Sequence, residues 1–387
     1  MTNPPPGPSR RVTIQDVARS AGVSVSAVSK VVRDAYGVSP QMRSRVTAAI
    51  DELGYRPHAG ARAMRGRAFT IGVVLVDFTS PYQAEVAQGA TDELYGSSFQ
   101  SILVAAGTDA EAHQRAAEAL IDRQADGLIL IAPFTSHDWL EGLGSRVPVV
   151  VVGRHGPSTN YDTVSGDDIE GARLVVDHLV ALGHRRITFI AHPSIGVERP
   201  FVMSHTARED GYGAAMGRHG IDPEVIVTSW TEQGGYQAAI EALDRSVPPT
   251  AIFAGADIAA LGVLRAAEER GIRVPQDLSV AGYDNIYVST IGRVALTTVD
   301  QAGPLTGSVS ARMLLQRIDN SRSQPIHYML PPRLEVRRTT TAAPYRDRDP
   351  ACPDDQSSSA DHPTRSGREQ QVSSNELCGM PAVGRSA

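Results

Sequence analysis

The sequence predicts an α/β fold behind a short block of three helices, and three observations carry that expectation. Short β-rich apolar runs recur from Thr70 to about Thr341 with helical segments between them, a Val/Ala-rich stretch near the N-terminus has helical spacing broken once by a glycine, and both ends of the chain are poor in aliphatic residues. At 387 residues the chain is long enough for two or three domains.

In the first helix Ile14, Val17, Ala18 and Ala21 fall at i, i+3, i+4 and i+7, and Thr13 stands at the N-cap with Asp16 three residues on. After Gly22 a second short helix begins near Ser24; it buries Val28 and Val31, with Val32 as a third candidate, and turns Val25, Ser26, Ser29 and Lys30 outward. A third helix, capped by Ser39 with Pro40 in its first turn, buries Val46, Ile50 and Leu53. A glycine turn between the first two of three short helices is the helix-turn-helix pattern, whose second helix enters the major groove of DNA. Helical hairpins that touch no DNA share that spacing. Small residues at the exposed start of the second helix permit close backbone approach, and the hydroxyls of Ser24 and Ser29 can donate to phosphate. Residues 10–67 carry eleven Lys/Arg against four Asp/Glu in a chain of net charge −6, which points to a polyanion partner for this segment, although a solvated basic face would count the same.

Further along, 71–76, 102–106, 127–132, 148–153, 187–191, 225–230, 251–256 and 278–284 read as strands. Helices are expected over 83–95, 110–124, 168–182, 206–219, 234–244 and 257–270, several closed by a glycine (Gly96, Gly183, Gly220, Gly271). Regular alternation implies parallel sheets covered by helices on both faces, divided into two lobes, with ligands at strand C-termini in the cleft between them. The expected domains are a disordered tail over 1–10, the helix-turn-helix block over 11–54, a bridging segment over 55–69, the two-lobed region over 70–341 and a second disordered tail over 342–387.

Composition excludes several classes. No apolar run approaches the ~20 residues of a membrane span, and MTNPPPGPSRR holds no signal-peptide core, so a cytoplasmic, nucleoid-associated location is expected. Both cysteines, Cys352 and Cys378, lie in the C-terminal tail, leaving nothing for a disulfide framework or zinc site in the folded part. The chain has no G-x-G-x-x-G or Walker-type loop and no nucleophile–base constellation, so no cofactor, metal or catalytic residue is expected and the protein is not read as an enzyme. His184 in 183-GHRRI-187 lacks a second ligand at metal spacing and reads as part of a surface turn.

The run VTIQDVARSAGVSVSAVSKVV, continued by VSPQMRSRVTAAIDELGYRPHAGARAMRGR, resembles the N-terminus of the lactose/galactose repressor (LacI/GalR) family, whose start T-I-x-D-V-A-x-x-A-G-V-S stands intact at Thr13 to Ser24. The resemblance implies that the second helix sets Val25, Ser26, Ala27 and Lys30 against base edges, with Thr13, Ser24 and Ser29 near phosphates. Many relatives have Thr at Ala27 and Arg at Lys30; Lys30 can still donate to guanine O6/N7, as a point charge, or touch a phosphate only. The segment 55-YRPHAGARAM-64 resembles the family's hinge, which becomes helical on operator binding and wedges an apolar side chain, here Met64, into the minor groove. His58 replaces a usual Asn, and Gly60 lowers helix propensity by up to ~1 kcal/mol, so ordering costs more; a plain linker is the alternative.

From Ile71 to about Arg338 the chain is similar to two-lobed periplasmic sugar-binding proteins. The resemblance implies an effector site with Arg208 of 208-REDGY-212, Trp230 of 230-WTEQGGY-236 and Asp284 of 280-VAGYDN-285. Tyr82 and Arg154 are weaker candidates for the opposite wall, and Asp257 is retained in 254-AGAD-257 beside Ala256, where many members carry Asn. An Arg fork with a carboxylate can hold vicinal hydroxyls while an aromatic face covers sugar C–H groups, which favours a carbohydrate effector; Trp230 would stack equally well on a purine. The implied function is a DNA-binding transcriptional repressor controlled by a small-molecule effector. It acts as a homodimer on a pseudo-palindromic double-stranded operator, since one helix-turn-helix reads only a half-site. The C-terminal tail lacks the heptad leucines of a tetramerising coiled coil. A solute-binding protein is the rival class, opposed by the basic block and the missing signal peptide.

Overall fold

The computed structural model describes residues 12–32, 36–55, 67–193 and 201–344. Met64, most of the expected hinge 55–69 and nearly all of both expected tails lie outside the described residues.

Three helices form the N-terminal block. Helix α1 (Ile14–Ala21) opens on a reciprocal capping box between Thr13 and Asp16 and closes on Gly22 at φ 62°. Helix α2 (Val25–Val32) starts where the Ser24 hydroxyl accepts the Ala27 N–H at 3.2 Å, and α3 (Pro40–Leu53) runs from a Ser39 cap to Gly54 at φ 60°. Val17, Ala18, Ala21, Val28, Val31, Val46, Ala49 and Tyr55 make the core. Ile50 and Leu53 are only partly buried, and Ala49 and Tyr55 complete the packing in their place. The left-handed turn at Gly54 sends the chain back so that the Tyr55 N–H reaches the Ile50 carbonyl at 3.0 Å and the ring covers the bundle.

The long region contains strands β1 (Thr70–Leu75), β2 (Gln100–Ala105), β3 (Gly127–Ile131), β4 (Val149–Val152), β5 (Arg154–His155), β6 (Asp162–Gly166), β7 (Ile187–Ala191), β8 (Val202–Met203), β9 (Glu224–Val227), β10 (Ala251–Ala254), β11 (Ser279–Asp284), β12 (Thr297–Asp300), β13 (His327–Leu330) and β14 (Arg333–Glu335). Its helices are α4 (Pro81–Glu93), α5 (Ala110–Asp122), α6 (His137–Gly144), α7 (Asp168–Ala181), α8 (Ser204–Arg218), α9 (Glu232–Leu243), α10 (Asp257–Glu269), α11 (Tyr287–Thr290) and α12 (Gly303–Ile318). One sheet has the order β13-β6-β4-β3-β1-β2 and is parallel throughout; the other has the order β14-β12-β11-β10-β7-β9, with only β14 antiparallel. These are two doubly wound lobes, each with helices burying apolar faces on both sides of its sheet.

The lobes are interleaved along the chain. The chain passes from the first lobe to the second after β6, returns after β12 so that α12 packs on the first sheet, and passes over again after β13. Strands β6 (DTVSG) and β12 (TTVD) escaped the sequence reading because they are Thr-, Ser- and Asp-rich, yet each lies inside its sheet, one place in from the edge. The buried Asp162 shows how such a strand is accommodated: it takes hydrogen bonds from Arg317, Arg322 and the Ile326 N–H, and so anchors the returning chain.

Helices pack through glycine in both lobes. A Cβ added to Gly307 would lie 1.9 Å from the Val86 carbonyl oxygen, where α12 meets α4, and one on Gly262 would lie 1.9 Å from that of Glu232, where α10 meets α9. His184 is corrected from a surface residue to a buried one, 1 % exposed. Its Nδ1 pairs with the Thr250 hydroxyl and its Nε2 with the Thr341 carbonyl, both at 3.0 Å, so it clasps the end of the two-lobed region.

Candidate functional site

The C-terminal ends of the central strands of both sheets face one cavity of about 230 Å³. The first lobe contributes Asp77, Tyr82 and Gln83 after β1, Phe134 after β3 and Gly153 after β4. The second contributes His192 after β7, His205 and Arg208 from α8, Trp230 beyond β9 and Asp284 from the end of β11; Gln301 lines it from the passage after β12.

Arg208 is 2 % exposed and its guanidinium is held on every side. Nη2 and Nε donate to Asp168 Oδ1 at 2.8 and 3.3 Å, and Nη1 donates to the Gly255 carbonyl and lies 3.9 Å from Asp284 Oδ1. Its carbon sits 3.5 Å from the Tyr283 ring centre and 4.8 Å from that of Trp230. Asp284 accepts from Gln301 Nε2 at 2.5 Å and holds φ at 121°, a conformation non-glycine residues rarely adopt and which costs of order 1–3 kcal/mol. Burial pushes the Asp284 carboxyl well above the usual carboxylate range, against the pull of Arg208. Asp168 is moved the other way: burial opposes its ionisation, but the Arg208 charge and the His155 hydrogen bond outweigh burial and hold it below that range.

Beside this polar edge lies a ring-lined wall. The His192 and His205 ring centres are 5.1 Å apart, His192 meets Trp230 edge-on at 5.5 Å, and His205 stacks on Phe134 at 6.2 Å. Burial, then His192 and Arg208, push the His205 imidazole down to about 3, and burial lowers His192, so both present neutral rings. The cleft therefore holds one compensated cation, the carboxyls of Asp77 and of Asp284, the latter biased toward its neutral form, and a neutral aromatic wall.

Of the effector residues expected from sequence, Tyr82, Arg208, Trp230 and Asp284 come together around this cavity. Arg154 and Asp257 do not line it. Arg154 is buried, donates from Nη1 to the Thr135 carbonyl at 2.7 Å and so braces the loop after β3. Asp257 accepts from the Ile286 N–H at 3.0 Å, the Ser289 hydroxyl at 2.6 Å and the Thr298 hydroxyl at 2.5 Å, which fixes the turn from β11 into α11; burial pushes its carboxyl up to about 6. Phe134, His192, His205 and Gln301 were missed. His192 and Gln301 each directly follow a strand, and His205 lies three residues before Arg208 on one helix, which are the signals that could have found them.

On the N-terminal block, Val25, Ser26 and Lys30 are exposed, with Val25 42 % accessible, and Ala27 and Ser29 are half-buried. The Ser24 and Ser26 hydroxyls are 2.8 Å apart at the start of α2, and the Thr13 hydroxyl donates to Asp16 at 2.7 Å. Val25, Ser26 and Ala27 lie in the first turn of α2, Ser29 and Lys30 in its last turn, and Thr13 caps α1. Among the described residues no helix is long and apolar enough to cross a membrane.

Residues 13–58 match the model of bacterial regulatory proteins of the lacI family, and residues 176–340 match a periplasmic binding protein-like domain. The HTH-type transcriptional repressor PurR of Erwinia tasmaniensis is 34 % identical over 346 residues, covering 87 % of this chain and 98 % of the relative. Among solved structures, the Lac repressor dimer bound to operator and the anti-inducer ONPF is similar at 30 % identity and a TM-score of 0.74, covering 86 % of this chain and 100 % of that one. A complex of the transcriptional regulator CelR with cellobiose is similar at 31 % identity and a TM-score of 0.63, covering 85 % and 100 %. With a helix-turn-helix block, a two-lobed ligand cleft and near full-length likeness to such regulators, the chain belongs to the lacI family, as a transcriptional repressor regulated by a small-molecule effector.

Proposed function

We propose that the effector is a neutral carbohydrate held between the lobes, and that residues 11–54, acting as a homodimer through a hinge at 55–69, read a pseudo-palindromic operator. The observation that carries the sugar reading is that a polar edge, Arg208 beside Asp284, and the Trp230 ring packed against it line one small cleft. Hydroxyl pairs suit the first and sugar C–H groups the second. Since Asp168 already balances the Arg208 charge, a phosphorylated ligand gains little from it. The cellobiose bound to a similar regulator supports this choice.

Thermal shift of the purified chain against mono- and disaccharides, their phosphates and purines tests the proposal. A neutral sugar at ~100 times its dissociation constant should add about 2.7 kcal/mol of apparent stability. Silence across the neutral sugars with a response to a purine or a sugar phosphate overturns the carbohydrate reading and leaves the fold and family untouched.

For the DNA side we propose that Val25, Ser26, Ala27 and Lys30 face bases while Thr13, Ser24 and Ser29 approach phosphates. Lys30 is the only lysine in the chain. With an operator selected from random duplexes by the native protein, Lys30→Ala should cost about 1–3 kcal/mol and relax preference at one base pair. Equal weakening on all sequences, with the salt slope reduced by about one, assigns Lys30 to a phosphate instead.

A further inference from the structure

Asp168 belongs to neither the set of expected site residues nor the cavity lining, yet it is the group on which Arg208 rests. It is fully buried at the first position of α7, just past the first passage of the chain between lobes. One carboxylate oxygen takes Arg208 Nη2 and Nε; the other faces His155 Nε2 at 2.9 Å. His155 lies on β5, three residues beyond β4 of the first lobe, while Arg208 lies on α8, whose inner face packs in the second. Strand β5 pairs antiparallel with β8, and the Ser204 N–H at the start of α8 donates to the Gly153 carbonyl at 3.2 Å, so the same two segments are also joined through backbone.

A guanidinium gripped along its Nε–Nη2 edge turns its Nη1 side elsewhere, and here Nη1 points to Gly255 and the Asp284 carboxyl. We infer that Asp168 is a positioning residue: it aims the Arg208 fork into the cleft and, through His155, ties that fork to the first lobe, so that His155, Asp168 and Arg208 set how closely the lobes approach around Trp230. This rests on the cleft being the effector site, and it adds the element that links occupancy of the cleft to the lobe angle. A ligand that takes up Nη1 acts on a guanidinium whose other edge is fixed to both lobes.

The chain has two tryptophans, so a Trp139→Phe background leaves Trp230 as the sole reporter in the cleft. Acrylamide quenching of its fluorescence in the full chain, with no effector added, measures access to the site. Asp168→Asn and His155→Ala should each raise the quenching constant about two-fold or more. His155→Gln, whose amide nitrogen can stand where Nε2 stands, should restore the native value. Unchanged quenching in His155→Ala, or equal quenching in His155→Ala and His155→Gln, overturns the tie between lobes; a native emission maximum together with native quenching in Asp168→Asn overturns the positioning of Arg208. Because no ligand is present, failure of the sugar reading would show in the thermal-shift panel and leave this result standing.

Discussion

Replacing Arg208 by methionine should destabilise the second lobe by about 3–5 kcal/mol at neutral pH, because it strips a buried carboxylate of the cation that compensates it. Asp168 would keep only His155, and Tyr283 and Trp230 would lose the charge packed against their faces. The pH dependence identifies the cause. In the native protein the Asp168 carboxyl lies below the ordinary range, so its pairing contributes stability above the unfolded-state value, and that contribution is lost as pH falls through the lowered folded value. In the variant only the His155 contact is left to oppose burial, so the Asp168 carboxyl moves up and the penalty fades as it takes up a proton. The gap between native protein and variant, read by urea unfolding with Trp230 fluorescence, should therefore narrow from about pH 7.5 to about pH 4.5. A gap of constant size would trace the loss to packing and not to the stranded charge.

Gly307→Val should cost about 3 kcal/mol, the upper end of ordinary overpacking, because the side chain would meet backbone and not a movable side chain. A Cβ at Gly307 lies 1.9 Å from the Val86 carbonyl oxygen, and one at Gly89 lies 2.0 Å from that of Pro304, so α4 and α12 touch main chain to main chain. The second lobe repeats the device, with Gly235 against Ala259 at 2.0 Å and Gly262 against Glu232 at 1.9 Å. Gly213 supplies the control: it lies in α8 with open space around its Cβ position, and Gly213→Ala should be neutral or raise stability by up to ~1 kcal/mol through helix propensity alone. Thermal melting of both variants decides the matter; a Gly307→Val melt within a degree or so of native would mean that the helices separate without cost.

What could be read from the sequence follows from where the side chains carry period and where they do not. The three N-terminal helices were legible because caps, a glycine turn and apolar spacing agree at Thr13, Gly22 and Ser39. Strands such as 71-IGVVLV-76 and 148-PVVVVG-153 were legible as continuous apolar runs buried on both faces. Strands β6 and β12 were not, because their Asp and Thr side chains find buried partners that only the assembled sheet supplies, as Asp162 does with Arg317 and Arg322. Helix α12 also went unread, its glycines and serines concealing a face that packs Val309, Leu314 and Ile318 on the first sheet.

The same limit applies to the cleft. Arg208, Trp230 and Asp284 stand in recognisable local runs, whereas Asp257 keeps a familiar position but spends its carboxylate on Ile286, Ser289 and Thr298. Asp168 and His155 acquire their importance from a contact across the lobe junction that no spacing along the chain encodes.

The threefold passage between lobes also governs how this chain can be made. The first sheet lacks its β13 edge and its α12 cover until residues 303–330 have been synthesised, and the second sheet lacks β14 until Glu335. Neither lobe can be finished by a ribosome working from one end to the other while its neighbour waits. The three-helix block, whose core is closed by Tyr55, needs nothing downstream. During translation the nascent protein thus carries a complete N-terminal block long before either lobe has its full sheet, and the two lobes reach completion close together, over residues 303–335.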